Sequence, residues 1–147
     1  MATTKKSAPR TTKSAFDVDK PRQTAPHPPK MDGPPEAIAR FRRICLELPE
    51  ATEVDAWGHP TFRVKNKIFA SAGAERGVWS FGMKTTPEMQ AGLIECDRRF
   101  SIAAYVGKHG WIDMRVDDTI DWNQVRALVV ESYRMIAPKT LAARVRD

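Results

Sequence analysis

At 147 residues with 41% hydrophobic content, the chain has room for one domain with a real core and is too short for two ordinary ones. A formal net charge of +6 favours nucleic acid or anionic surfaces as partners and is silent on fold. No apolar run approaches the ~18 to 20 residues that cross a bilayer, and the charged, Pro-rich start lacks the apolar stretch of a signal peptide, so a soluble cytoplasmic protein with no membrane partner is expected.

Residues 1–33 read as a disordered, basic, Pro-rich arm. Seven of the eleven prolines fall within residues 9–35, and apart from Phe16 and Val18 there is almost nothing apolar to bury. The arm holds seven Lys or Arg against Asp17, Asp19 and Asp32, so it supplies +4 of the charge and leaves the remainder only mildly basic. It adds non-specific attraction to phosphates, serves as a solubilising tail, or is absent from a chain started at Met31.

A single domain is expected over residues 34–147. Ala37, Phe41, Ile44 and Leu48 form a helical stripe, with Ile38 and Cys45 alongside, that runs to about Pro49. Phe62 and Val64 then alternate with Thr61, Arg63 and Lys65. Lys65-Asn66-Lys67 predicts a tight turn into Ile68-Phe69-Ala70-Ser71, giving a hairpin with a cationic tip. A third strand spans Val78 to Met83, with Trp79, Phe81 and Met83 on one side. Thr85-Thr86-Pro87-Glu88 is a helix start, since Thr caps free amides and Pro and Glu suit a first turn. That helix is expected from Pro87 to about Cys96 with Met89, Leu93 and Cys96 inward. A weak strand is expected over Phe100–Val106 and a turn at 107–110. The next strand has Ile112, Met114 and Val116 on one face and Trp111, Asp113 and Arg115 on the other. Asp121 caps a last helix with the stripe Trp122, Val125, Leu128, Val129, Tyr133 and Ile136.

The order helix, three strands, helix, two strands, helix predicts a two-layer α+β fold: an antiparallel sheet with helices on one face and the other partly bare. Arg63, Lys65, Trp111 and Arg115 are expected on the bare side. Cations interleaved with flat rings suit a polyanion with stackable groups, so DNA is the expected partner. The candidate contacts are Arg63, Lys65 and Lys67 at the first hairpin, Lys84 before a helix N-terminus, and Lys108, His109, Trp111 and Arg115 around the second turn. The competing readings are a solvated, edge-protecting charge cluster, ordinary Trp packing and plain helix capping. Gly58 and Pro60 set a bend anchored by Trp57, His59 and Phe62.

Chemistry has little to work with. Nothing assembles a nucleophile beside a base, no Gly-rich phosphate loop is present, and Cys45 and Cys96 sit in helical stripes as inert core thiols outside any zinc spacing. A non-enzymatic protein with no cofactor or metal is expected. An acid–base enzyme would require His59 and His109 to meet.

Several pieces in order carry a resemblance: Leu48-Pro49, Gly58-His59-Pro60-Thr61-Phe62-Arg63-Val64, Lys67-Ile68-Phe69-Ala70, Met83-Lys84-Thr85-Thr86-Pro87-Glu88, Lys108-His109-Gly110-Trp111 and Glu131-Ser132-Tyr133. Over roughly residues 36–141 the chain resembles the MmcQ/YjbR-like proteins, described as DNA-binding with a frataxin-like or secretion-chaperone-like α+β fold. The resemblance implies that element order and a DNA-binding role. It also allows the alternative of a protein-interaction module, possibly homodimeric, using the same face. The arm before residue 34 is not part of the shared pattern.

Overall fold

The structure, a computed structural model, describes residues 35–56 and 58–146. The expected arm, the Met31 start and Trp57 lie outside the described residues. The elements in chain order are α1 (Pro35–Leu46), β1 (Thr52–Ala56), β2 (His59–Val64), β3 (Lys67–Glu75), β4 (Val78–Lys84), α2 (Pro87–Cys96), β5 (Phe100–Ile102), β6 (Trp111–Arg115), α3 (Trp122–Ile136) and α4 (Lys139–Ala142), with a 3-10 turn at Gly107–His109. The strands form one antiparallel sheet in the order β1-β2-β3-β4-β6-β5.

Period-two alternation sorts the side chains. One face carries Phe62 opposite Ala70, Ala72 opposite Phe81, Phe81 opposite Met114, and Met83 opposite Ile112. The stripes of α1 and α3 close over it. Phe41 stacks on Phe81 with ring centroids 3.8 Å apart and meets Phe62 edge-on, while Tyr133 meets Phe69 edge-on. Burying each such large apolar side chain stabilises the fold by roughly 1.5 to 3 kcal/mol. The α3 cap forms as expected, with the Asp121 carboxylate accepting from the amides of Asn123 and Gln124.

Polar contacts lock the layers. A β-bulge falls where the register slips between Phe62 and Arg63, making Phe69 an extra residue on β3. The freed Phe69 carbonyl accepts from the buried Ser132 hydroxyl of α3 at 2.7 Å, and that hydroxyl accepts from the Lys84 amide at 3.0 Å. The Tyr133 hydroxyl donates to the Pro49 carbonyl at 2.6 Å.

The structure departs from the sequence expectation in four places. β1 was not expected: Thr-Glu-Val-Asp-Ala has no apolar alternation, and the strand is held instead by Thr61 Oγ1 donating to the Val54 carbonyl and by the Arg42–Glu53 ion pair at 2.8 Å. The short α4 follows Pro138. The expected strand at 100–106 stops at Ile102, and Tyr105 turns the chain with φ 64°. Finally, α2 buries no residue, so Cys96 is exposed rather than a core thiol, whereas Cys45 is fully buried and its thiol pKa is pushed well up by desolvation. The α2 helix leans on the edge strand β5 instead of covering the sheet. Among the described residues no helix is long and apolar enough to cross a membrane.

Candidate nucleic-acid interface

The face away from α1 and α3 presents Thr61 and Arg63 on β2, Ser71 and Gly73 on β3, Ser80, Gly82 and Lys84 on β4, and Trp111, Asp113 and Arg115 on β6. Arg63, Trp111 and Arg115 therefore stand on the side expected. Their environments differ. Arg63 is 6% exposed, its Nε donating to Thr61 Oγ1 and its Nη1 to Asn66 Oδ1, so its guanidinium braces the hairpin. Trp111 is 8% exposed and offers little ring surface. Arg115 is exposed, with Asp117 at 4.0 Å.

The register also sorts the residues along the strands. Lys84 lies opposite Trp111, Val64 opposite Lys67, and Ala70 opposite Met83, so both turns, 65–66 and 107–110, stand at the same end of the sheet as Lys84. The hairpin turn forms because Lys65 and Asn66 adopt φ of 51° and 65°, as a two-residue turn between twisted strands requires. The second turn is clamped to the first residues after β4. Gly110, at φ 91°, accepts from both the amide and the hydroxyl of Thr85 through its carbonyl, at 2.8 and 2.7 Å. Gln90 of α2 donates to the carbonyls of Gly107 and Trp111. Thr86 caps α2 as expected, its hydroxyl accepting from the Met89 amide.

This end gathers Lys65, Lys67, Lys84, Lys108 and His109. Lys65 pairs with Glu50 at 3.0 Å; Lys67, Lys84 and Lys108 have no ion pair with a described residue. Arg115 is left at the opposite end, beside Ser80. His59 also belongs there, its ring lying against Gly73, so His59 and His109 do not meet.

Sequence reasoning passed over two features. Asp113, between Trp111 and Arg115, lies across from Gly82 in the middle of the open face. It has no hydrogen bond or ion pair to a described residue, and desolvation, with help from the Glu75 charge, pushes its carboxyl up to about 6. The alternation 111, 113, 115 placed it on this face, but its isolation depends on neighbours that only the register supplies. The second feature is a cavity of about 740 Å³ on the helix side, lined by Glu36, Arg40, Arg43, Asp117, Asp118 and Trp122 among others. Arg40 sits 4.8 Å over the Trp122 ring there. It borders the Arg115 end, away from the gathered lysines.

No functionally curated protein matches the sequence. The fold is similar to the crystal structure of Deinococcus radiodurans protein DR2400, described by the domain family DUF419, with a TM-score of 0.60 at 20% identity over 67% of this chain and 76% of that one. The family model YjbR matches residues 46–135, a narrower span than the 36–141 read from the motifs. The match takes in Leu48-Pro49, the Gly58–Val64 segment, the Lys84–Glu88 helix start, the Lys108–Trp111 turn and Ser132-Tyr133, and the chain belongs to the YjbR family.

Proposed function

We propose that this protein binds nucleic acid without chemistry, contacting phosphates around the Lys84 end of its sheet. The observation that carries this reading is the ladder register, which brings two separate basic turns and Lys84 together, at an end where Lys67, Lys84 and Lys108 have no carboxylate partner among the described residues. Such cations hold phosphates through released counterions, so affinity falls steeply with salt. With three to five phosphates neutralised, log K against log salt has a slope of about −3 to −5.

The test is a fluorescence-anisotropy titration of duplex and single-stranded DNA with the full chain and with the Lys67→Ala/Lys84→Ala/Lys108→Ala variant at several salt concentrations. Loss of three contacts reduces the magnitude of the slope by about 2 to 3. An unchanged slope removes the sheet-end site and leaves any DNA binding to residues outside it.

A second reading, a protein-interaction module, is favoured by one observation: Ile102 and Tyr105 are 61% and 55% exposed beside the short edge strand β5. Light scattering after size exclusion tests it, since a dimer through this edge doubles the mass.

A further inference from the structure

The notch in the middle of the open face has a chemistry that phosphate contacts do not use. Gly82 has no side chain, and Ser71 Oγ and Asp113 Oδ1 lean into the space above it, 2.7 and 3.4 Å from where a Cβ would stand. A hydroxyl and a carboxylate oxygen thus converge on one spot, walled by strands β3 and β6. The carboxylate is partly desolvated and unpaired among the described residues. Asp113 is half-buried, so its carboxylate keeps some access to solvent, and a ligand that brings donors can replace the water that its partly desolvated oxygens hold poorly.

We infer that this notch receives the Watson–Crick edge of an unpaired guanine, with Asp113 accepting from N1–H and the N2 amine and the Ser71 hydroxyl serving O6. This rests on the nucleic-acid reading above and adds to it the base that is read. Guanine alone among the four DNA bases presents two adjacent donors on that edge. Adenine and cytosine set one amine beside a ring acceptor, and thymine sets one N–H between two carbonyls, so each of them turns an acceptor toward the carboxylate. Lys84 lies two residues from Gly82 on the same strand and face, about 7 Å along it. A strand whose phosphates sit on Lys84 and Lys108 therefore has its base over the notch. A lone ammonium or guanidinium is a poorer occupant, because Arg63, Lys84 and Arg115 share the face.

The test uses the full chain and thymidine 12-mers carrying one central guanine, hypoxanthine or adenine, titrated at one salt concentration and pH 7.5. Hypoxanthine keeps N1–H and O6 and lacks the N2 amine. The expected result is binding about tenfold tighter for guanine than for either other base, the discrimination of one bidentate pair. Asp113→Asn and Gly82→Val, the second pushing the Ser71 hydroxyl out of the notch, are expected to erase that preference, each compared with its own all-thymine affinity. Equal binding of all the oligonucleotides by the wild type, or a preference that survives both variants, overturns the guanine assignment while the phosphate reading stands. Failure of every oligonucleotide to bind overturns both. Displacement of the guanine 12-mer by an Arg-bearing peptide that Asp113→Asn no longer binds also overturns it, in favour of a protein ligand.

Discussion

Arg99 and Arg115 at one end of the sheet and the lysines at the other are used in different ways. At the Arg115 end Arg99 donates to Asp97 at 2.7 Å and to the Thr119 carbonyl at 3.1 Å, with Asp117 at 3.9 Å, and Arg115 also approaches Asp117. These guanidiniums tie the turn after α2 to the turn before α3. At the Lys84 end three lysines have no such partners among the described residues; the 107–110 turn is clasped by backbone, hydroxyl and amide groups of Thr85, Gly110 and Gln90, and the Arg63 guanidinium braces the other turn. A cation with a carboxylate fork around it is structure; one left without is available to a ligand.

The sharpest way to break the Lys84 end is Gly110→Ala. A Cβ there runs into the Thr85 carbonyl, and φ 91° is a conformation that L side chains rarely adopt. Overpacking against backbone together with left-handed strain is expected to cost about 3 kcal/mol or more in urea unfolding. A loss under 1 kcal/mol would show that the clasp between the two turns is loose.

Between the two ends, Asp113 gives an effect of similar size with the opposite sign. Its unfolded carboxyl titrates near 3.9 and the folded one near 6. Between those values the folded state binds more protons, so stability falls as pH rises from about 4 to 6 and is level above that. Of the charged groups around it, Glu75 on β3 acts to raise it further, and Arg63 on β2, Lys84 on β4 and Arg115 on its own strand share its face. Asp113→Asn removes the ionisation, so it is expected to stabilise the protein by up to about 3 kcal/mol at pH 8 and by little at pH 4. A variant equally or less stable at both pH values would mean that the carboxylate is satisfied in solution.

These residues also show what was legible in the sequence. The stripes of α1 and α3, the 65–67 turn, the cap at Thr86 and the two faces of β6 all follow from local spacing, and they appear where the spacing put them. What failed was the part set by partners distant in sequence. β1 is polar and becomes a strand only because β2 pairs with it; α2 looked amphipathic, but its helix lies along the edge strand β5, where Leu93 and Ile94 are only partly buried and Met89 and Cys96 are exposed. For the site, charge and alternation found the lysines. They did not show that Arg63 is consumed by Thr61 and Asn66, nor that Ser71, Gly82 and Asp113 meet, because a bulge and three registers decide both. The motifs behind the family resemblance turn out to touch one another. Tyr133 reaches Pro49, Ser132 joins the bulge to Lys84, and Thr85 clasps Gly110. Much of what those motifs specify is therefore fold.

At the Arg115 end, Arg99→Ala is expected to cost about 2 kcal/mol, since the side chain is only 15% exposed and makes charge-assisted bonds. The Arg99 hydrogen bond holds the Asp97 carboxyl below the usual range, and the Thr119 hydroxyl does the same for Asp117. Their contribution is present above about pH 4 and is lost as pH falls through the lowered folded values. The gap between wild type and variant should therefore close in strong acid. DNA affinity should not change, and if it drops the two ends are not functionally separate.

The smallest effect sharpens the comparison most, because Lys65 stands on the border between the two uses. It belongs to the cationic end, yet it is paired with Glu50, and both side chains are about half exposed at 56% and 50%. An exposed pair of this kind contributes about 0.5 kcal/mol or less, so Glu50→Gln is expected to leave unfolding unchanged within that margin. If Lys65 is held back from phosphates only by this carboxylate, the same variant binds DNA roughly two- to threefold more tightly at low salt, and the gain vanishes near 1 M, where screening reaches about 3 Å. If affinity does not move, Lys65 is a structural cation like Arg99, and the ligand-facing set at this end narrows to Lys67, Lys84 and Lys108.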